Sequence, residues 1–298
     1  MIRLGASLIT SPVCTPAVDD NLLLDDYTGG VRAYSVRKIK KGYTGYAIRV
    51  RRSSDNEEAD VAFDDDGEIS VDSKVYNASG STADGTNFNT WAGLAAYLKT
   101  WYDQSGGGFD ISQTTAASQP IIKFGTLFAL NGKFAPYFSD SNDFLPIDST
   151  DLNIGSISVY WVGKNNNLGF ASTQWSWGLS TDASNWFGNL LYNSVDMFYY
   201  GGQDSVSSVS SNTNQNVLQY AAGTSDAPKI YRNNAAGTGS GTRETDDCTV
   251  NSTNGLGGWG TSLYGWQGYL QEFIVFDNDT NSNRENITSN INTFYDIY

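Results

Sequence analysis

Short apolar or alternating segments recur along this chain, each closed off by Gly, Asn, Ser or Pro, and long runs at helical spacing are rare. Thr100–Asp103, Pro120–Phe124, Phe134–Phe138, Ile157–Gly163, Met197–Tyr200, Asn216–Ala222, Ala227–Arg232 and Gly268–Phe276 carry the β-branched and aromatic residues that suit a pleated, half-buried surface. Earlier, Ala47-Ile48-Arg49-Val50-Arg51 alternates apolar and charged and reads as a strand. Ser53-Ser54-Asp55-Asn56 is a turn, Ala59–Phe63 the return strand, and Asp64-Asp65-Asp66-Gly67 the next turn. Many short strands joined by turns specify a mainly β sandwich or barrel.

The 298 residues suffice for one large sandwich with appendages or for two small domains. A domain of that size hides about three quarters of its unfolded surface, so it needs neither disulfides nor metals for stability. Cys14 and Cys248 lie far apart without metal-ligand spacing; they read as free thiols, with one long-range disulfide as the alternative. Histidine is absent, which excludes Ser-His-Asp and Cys-His catalysis, His-ligated zinc and a histidine pH switch. The net charge of −14 is uneven: residues 1–52 hold nine of the 18 Lys and Arg against four acids. The acidic remainder repels phosphate backbones, so no nucleic-acid partner is expected, whereas the basic stretch suits an acidic neighbour such as a second copy. No apolar run approaches the roughly 18 residues of a membrane helix, so no membrane insertion is expected, and Met1–Thr10 is too short and weakly flanked for a signal peptide.

Residues 1–30 read as an extended arm, because Pro12 and Pro16 interrupt regular structure and Gly29-Gly30 supplies a hinge. The run Leu22-Leu23-Leu24-Asp25-Asp26-Tyr27 reads as a short helix or as a docking segment carried by Leu22, Leu23, Leu24 and Tyr27, and residues 31–298 form the sandwich domain. Val31–Lys41 is either a short helix or a strand. Residues 77–90 read as a polar loop and the Ser/Asn-rich residues 203–216 as a mobile one. Trp91–Lys99 is the best helix candidate, and Asn283–Tyr298 predicts an amphipathic helix with Ile287, Ile291 and Phe294 on one face.

Three stretches carry a family resemblance. They are Ala33–Arg37 with Tyr43–Asp55; Thr100-Trp101-Tyr102-Asp103-Gln104-Ser105-Gly106 with Gln119-Pro120; and Gly268–Phe276 with Asn290–Tyr295. The first two resemble the N-terminal half of the catalytic domain of the α-L-arabinofuranosidase B family, a concanavalin A-like jelly roll. All three together are similar to bacteriophage structural proteins with laminin G-like jelly rolls. The resemblance implies a concanavalin A-like (laminin G-like) jelly-roll sandwich with an extended N-terminal arm and one or two short helices. Retaining glycosidases need two carboxyl groups about 5 Å apart. At the position matching the family's nucleophile, Trp177-Gly178-Leu179-Ser180-Thr181 places Thr181, and Asp182 one residue later faces the other way on a strand. Where the family's acid is expected, Gly257-Gly258-Trp259-Gly260-Thr261 holds none. No catalytic residue is therefore assigned, and the chain is expected to be non-enzymatic.

Trp175, Trp177, Trp186, Trp259, Tyr264 and Trp266 either line a sugar platform or fill the core and its rims. Asp140, Asn142 and Asp143 form an oxygen-rich loop that either binds calcium or is a solvated turn; no other cofactor is expected. Asp103 reads as a turn carboxylate accepting backbone N–H bonds, with calcium or sugar ligation as the alternative. The phage resemblance implies a virion component, such as a capsid decoration protein, head fibre or tail-associated adhesin. It would dock through its arm on other virion proteins in many copies and present a lectin-like face to cell-surface glycans. The alternatives are a free carbohydrate-binding protein and a glycoside hydrolase of arabinofuranosidase type.

Overall fold

The structure, a computed structural model, describes residues 22–77, 80, 82–139, 142–147, 156–168, 172–177, 187–200, 206–222, 228–240, 255–258 and 265–298. Its central element is the Gly268–Phe276 strand, buried along nearly all its length. Such a strand reads as a continuous apolar run rather than an alternating one, and Leu270, Phe273, Ile274, Val275 and Phe276 supply it. One edge pairs antiparallel with Ile157–Asn165, with Trp161 opposite Phe273. The other edge is shared in tandem by Gly30–Ser35 and Tyr137–Phe138.

The large sheet grows outward from this centre. Gln215–Ala222, Lys229–Arg232 and Ala235–Ala236 extend one side; Ile121–Phe124, Ala95–Trp101, Ile48–Arg52, Glu58–Val61, Lys74–Asn77 and Thr82–Asn87 extend the other. A second sheet runs Leu145–Pro146, Gly255–Leu256, Ser172–Trp177, Phe187–Tyr192, Val195–Tyr200, Val206–Ser210 and Thr238–Ser240. The sheets meet in an aromatic layer: the Trp175 ring centroid lies 5.1 Å from that of Tyr220 and 5.6 Å from that of Phe273. Trp161 and Trp266 meet edge-on at 5.5 Å. The fold is thus the mainly β, antiparallel sandwich that the strand and turn signals predict. Two-residue turns at Asn131-Gly132, Asn193-Ser194 and Asn233-Asn234 have positive φ at both positions, the geometry that matches strand twist and that Asn and Gly tolerate.

The other face of the large sheet is covered by the helix Arg284–Tyr295, which buries Ile287, Ile291 and Tyr295. Phe294, expected on that face, is only half-buried. A polar clamp fixes the helix. The fully buried Glu272 carboxylate accepts from Arg37 Nε at 2.9 Å, Ser35 Oγ at 2.6 Å and Tyr295 Oη at 3.1 Å, and Arg37 Nη1 donates to Asn290 Oδ1 at 3.0 Å. Burial and the neighbouring carboxylate together push the Tyr295 hydroxyl well above its ordinary range.

Several expectations are corrected. Trp91–Lys99 is not a helix: a four-residue helix, Phe88–Trp91, is capped by Asn87, whose side chain accepts from Thr90 N. Gly93, at φ 61°, then stops it, and Ala95–Trp101 is a strand that buries Ala96, Leu98 and Thr100 in alternation. Of Val31–Lys41, Gly30–Ser35 contains the strand. The Leu22–Tyr27 docking segment folds back on its own chain: Leu23–Asp26 is a helical turn, Leu23 and Leu24 join the core, and Leu24 N donates to Ile39 O at 2.8 Å. Residues 1–21, the rest of the expected arm, lie outside the described residues, as do Cys14 and Cys248. The expected loop at 203–216 contains the strand Val206–Ser210 and the start of Gln215–Ala222. The basic N-terminal stretch is largely consumed internally. Arg37 is buried on Glu272, Arg49 makes two bonds to Asp60, Arg51 donates to Gln119, and Arg52 pairs with Asp55 and Glu57.

Removing one partner of a buried ion pair costs about 3–5 kcal/mol, because the other charge stays buried alone. Glu272→Ala should therefore lower the unfolding free energy by about that amount in urea titration. A loss below about 1 kcal/mol, the value of an exposed pair, would show that the clamp does not hold the helix.

Candidate functional site

Two of the six expected sugar-platform aromatics are in the core. Trp175 packs on Tyr220, Phe198 and Phe273, and Trp266 packs on Phe138 and Trp161 while its Nε1 donates to Asn165 Oδ1 at 2.8 Å. Neither is open to a ligand, because burying a large ring between two sheets stabilises the sandwich more than exposing it does. Trp177 ends a strand, and its side chain is not among the described groups; Trp186, Trp259 and Tyr264 lie outside the described residues, as do Thr181 and Asp182. In the expected calcium loop, Asp140 lies outside the described residues, and Asp143 is buried with Oδ2 accepting from Ser139 N at 2.5 Å and Ser139 Oγ at 2.8 Å. Among the described residues no group of three or more His, Cys, Asp or Glu could hold a metal ion.

The Tyr102-Asp103-Gln104-Ser105 motif is structural at its centre. Asp103 accepts from Ala33 N and Ser105 N, both at 2.9 Å, from Ser105 Oγ at 2.6 Å and from Phe109 N at 3.2 Å. Gln104 is fully buried; its amide donates to Ser35 O and Arg37 O and accepts from Ile39 N. Tyr102 Oη donates to Asp60 Oδ1 at 2.5 Å, and Arg49 holds both oxygens of Asp60. Asp110 differs. It accepts Asp103 N at 2.9 Å, and burial together with the Asp103 charge holds its carboxyl above the usual aspartate range.

A different surface has the make-up of a ligand site. Lys164 at the end of a central strand, the Asn212–Asn216 turn, Asn233, the Asn131 hairpin and the C-terminal Ile297-Tyr298 enclose a cleft of about 490 Å³. Ligand clefts commonly hold about 300–1,000 Å³. Its walls are held by amides. Asn212 Oδ1 accepts from Asn214 N and Asn216 Nδ2, and Asn233 Oδ1 accepts from Val217 N, each at 2.9 Å. Asn292 Oδ1 accepts from Ile297 N and Tyr298 N, its Nδ2 donates to Tyr298 O, and Asn131 Nδ2 donates to Asp296 O. This clamp fixes the last residues and leaves the Tyr298 side of the cleft with an exposed aromatic ring. The floor is Gln215, whose Nε2 donates to Gln271 Oε1 at 2.5 Å; its Oε1 is buried without a partner. Amides that donate and accept in one plane, with an aromatic face beside them, suit the hydroxyls and the C–H face of a sugar ring. Sequence reasoning does not find the cleft because its parts come from five separated segments, and the Ser/Asn-rich stretch that supplies five of its eleven lining residues reads as a mobile loop. The Asn-Gly and Asn-Asn pairs were the signal that fixed turns stood there.

No family model matches the chain, and no curated protein matches it in sequence. Solved structures do. A GH54 α-L-arabinofuranosidase soaked with a cyclic sulfate inhibitor is similar over 88% of this chain and 62% of its own, at 16% identity and a TM-score of 0.61. An arabinofuranosidase complexed with arabinofuranosyl-α-1,2-xylobiose is similar over 90% of this chain and 64% of its own, at 17% identity and a TM-score of 0.59. The chain thus spans less than two thirds of the length of these enzymes. The jelly-roll sandwich is shown. The expectation of a non-enzymatic chain is overturned: over most of its length the chain shares the fold of glycoside hydrolases.

The Asp110 carboxyl is raised in the folded state, so the stability it contributes is full below the unfolded aspartate value of about 3.9 and is lost as pH rises through the folded value. Asp110→Asn fixes a neutral side chain. Its unfolding free energy should gain on the wild type's as pH rises from about 4 to 7, read by urea titration at several pH values. A difference independent of pH would show that Asp110 titrates as it does in the unfolded chain.

Proposed function

We propose that the protein is a glycan-directed sandwich of glycoside-hydrolase architecture that holds a sugar in the amide cleft between Lys164, Asn214, Gln215 and Tyr298. The observation that supports it is the cleft itself: a small concavity held by amide hydrogen bonds and flanked by an exposed ring. A second activity, hydrolysis of an α-L-arabinofuranoside, is favoured by the likeness to arabinofuranosidases, one of them soaked with 4-nitrophenyl α-L-arabinofuranoside. The setting we propose is the surface of a bacteriophage particle, in many copies, on the strength of the sequence resemblance alone. There, weak individual sites add up through avidity.

The test is an oligosaccharide array probed with the purified chain, followed by titration of retained sugars. Tyr298→Ala should weaken binding about tenfold, since a stacked aromatic ring contributes about 1–1.5 kcal/mol. Retention of no glycan by a folded protein would overturn glycan recognition. Release of 4-nitrophenol from 4-nitrophenyl α-L-arabinofuranoside, assayed in parallel, decides the hydrolytic activity by itself.

A further inference from the structure

We infer that the sugar taken by the cleft is a carboxylated one, of the hexuronate class, with Lys164 as the residue that selects it. This rests on glycan recognition at the cleft and names its ligand chemistry. In a chain with 32 acidic against 18 basic residues, the cleft is lined by no Asp or Glu and by one lysine. Among the described residues Lys164 makes no ion pair, and its ammonium makes no hydrogen bond to them, unlike those of Lys40 and Lys123, which donate to backbone carbonyls.

The placement of Lys164 is rigid at its root. Its backbone pairs with Gln215 on one side and Tyr269 on the other, in the middle of the large sheet. The next residue, Asn165, is buried, with Gln174 and Trp266 donating to its Oδ1 and its Nδ2 donating to Ser211 Oγ. A lysine with an anchored stem and no ion-pair partner among the described residues brings a positive charge to a cleft whose other lining side chains are uncharged. The remaining groups ask for hydroxyls: the exposed polar side chains of Thr213 and Asn214 line the cleft. A ring that carries one carboxylate and several hydroxyls satisfies this set.

The experiment is calorimetric titration of the full chain with trigalacturonate and, as the neutral match, with trigalactose. An exposed charge pair favours trigalacturonate by about threefold to fivefold at low salt, and the preference should shrink in 0.5 M NaCl. Lys164→Met should weaken trigalacturonate several-fold more than trigalactose, so that the two bind alike, whereas Lys164→Arg should keep the preference. Equal binding of the two sugars, or a Lys164→Met variant that weakens both alike, would overturn the carboxylate assignment and leave glycan recognition standing. Tighter, Lys164-dependent binding of a sulfated galactose trimer than of trigalacturonate would also overturn it. Failure of the folded protein to bind either sugar, together with an array that retains nothing, would remove glycan recognition and this assignment with it.

Discussion

The buried ion pair between Arg37 and Glu272 joins parts of the chain more than two hundred residues apart, and the architecture is organised around it. Glu272 sits in the central strand, Arg37 just beyond the strand that pairs with it, and Tyr295 and Asn290 on the helix laid across both. Two charges taken out of water are costly unless their geometry and remaining hydrogen bonds are complete. Here Ser35, Tyr295 and Asn290 complete them, and Gln104 binds the carbonyls of Ser35 and Arg37 from the other direction. The three stretches that carry the sequence resemblance are therefore one interlocked assembly. Their shared residues specify how the ends of the sandwich meet.

A second polar centre lies within the sandwich and supports the cleft. Gln174 donates to Asp196 and Asn165, Arg232 pairs with Asp196, and Trp266 donates to Asn165. From Asn165 the chain of bonds continues to Ser211, beside the Asn212–Asn216 turn, and Arg232 directly precedes Asn233. A buried hydrogen-bond network stiffens what it touches, and of these side chains only Arg232, at its Nε, has a buried polar atom without a partner. The amide rim of the cleft is thus tied to the interior of the sandwich, which lets a site built from turns keep one shape. Preorganisation of this kind reduces the ordering cost of holding a flexible, strongly hydrated ligand.

Strand content, the antiparallel turns and the C-terminal helix were legible in the sequence because period-two patterning and the Ile287–Ile291 spacing are local signals. Trp91–Lys99 was misread as helical. Ala92, Ala95, Ala96 and Leu98 suit a helix by composition, and the stop at Gly93 and the pairing of Ala95–Trp101 with two neighbouring strands outweighed that propensity. The Leu22–Tyr27 run showed that an apolar surface had to be covered, and only the packing showed that its own core was the partner.

What the sequence determined by itself was the class of fold and several classes of chemistry it excludes: a mainly β sandwich, without histidine catalysis. These follow from residue types and their nearest neighbours. What only the tertiary structure decided was which aromatics are structural and where the cleft forms. Trp175 and Trp266 have the chemistry of a sugar platform, but burial is a property of the facing sheet, and that sheet claims them. The cleft has the opposite history: Lys164, Gln215, Asn233 and Tyr298 are unremarkable in sequence and become a site because strand order and a clamped C-terminal tail bring them to one edge.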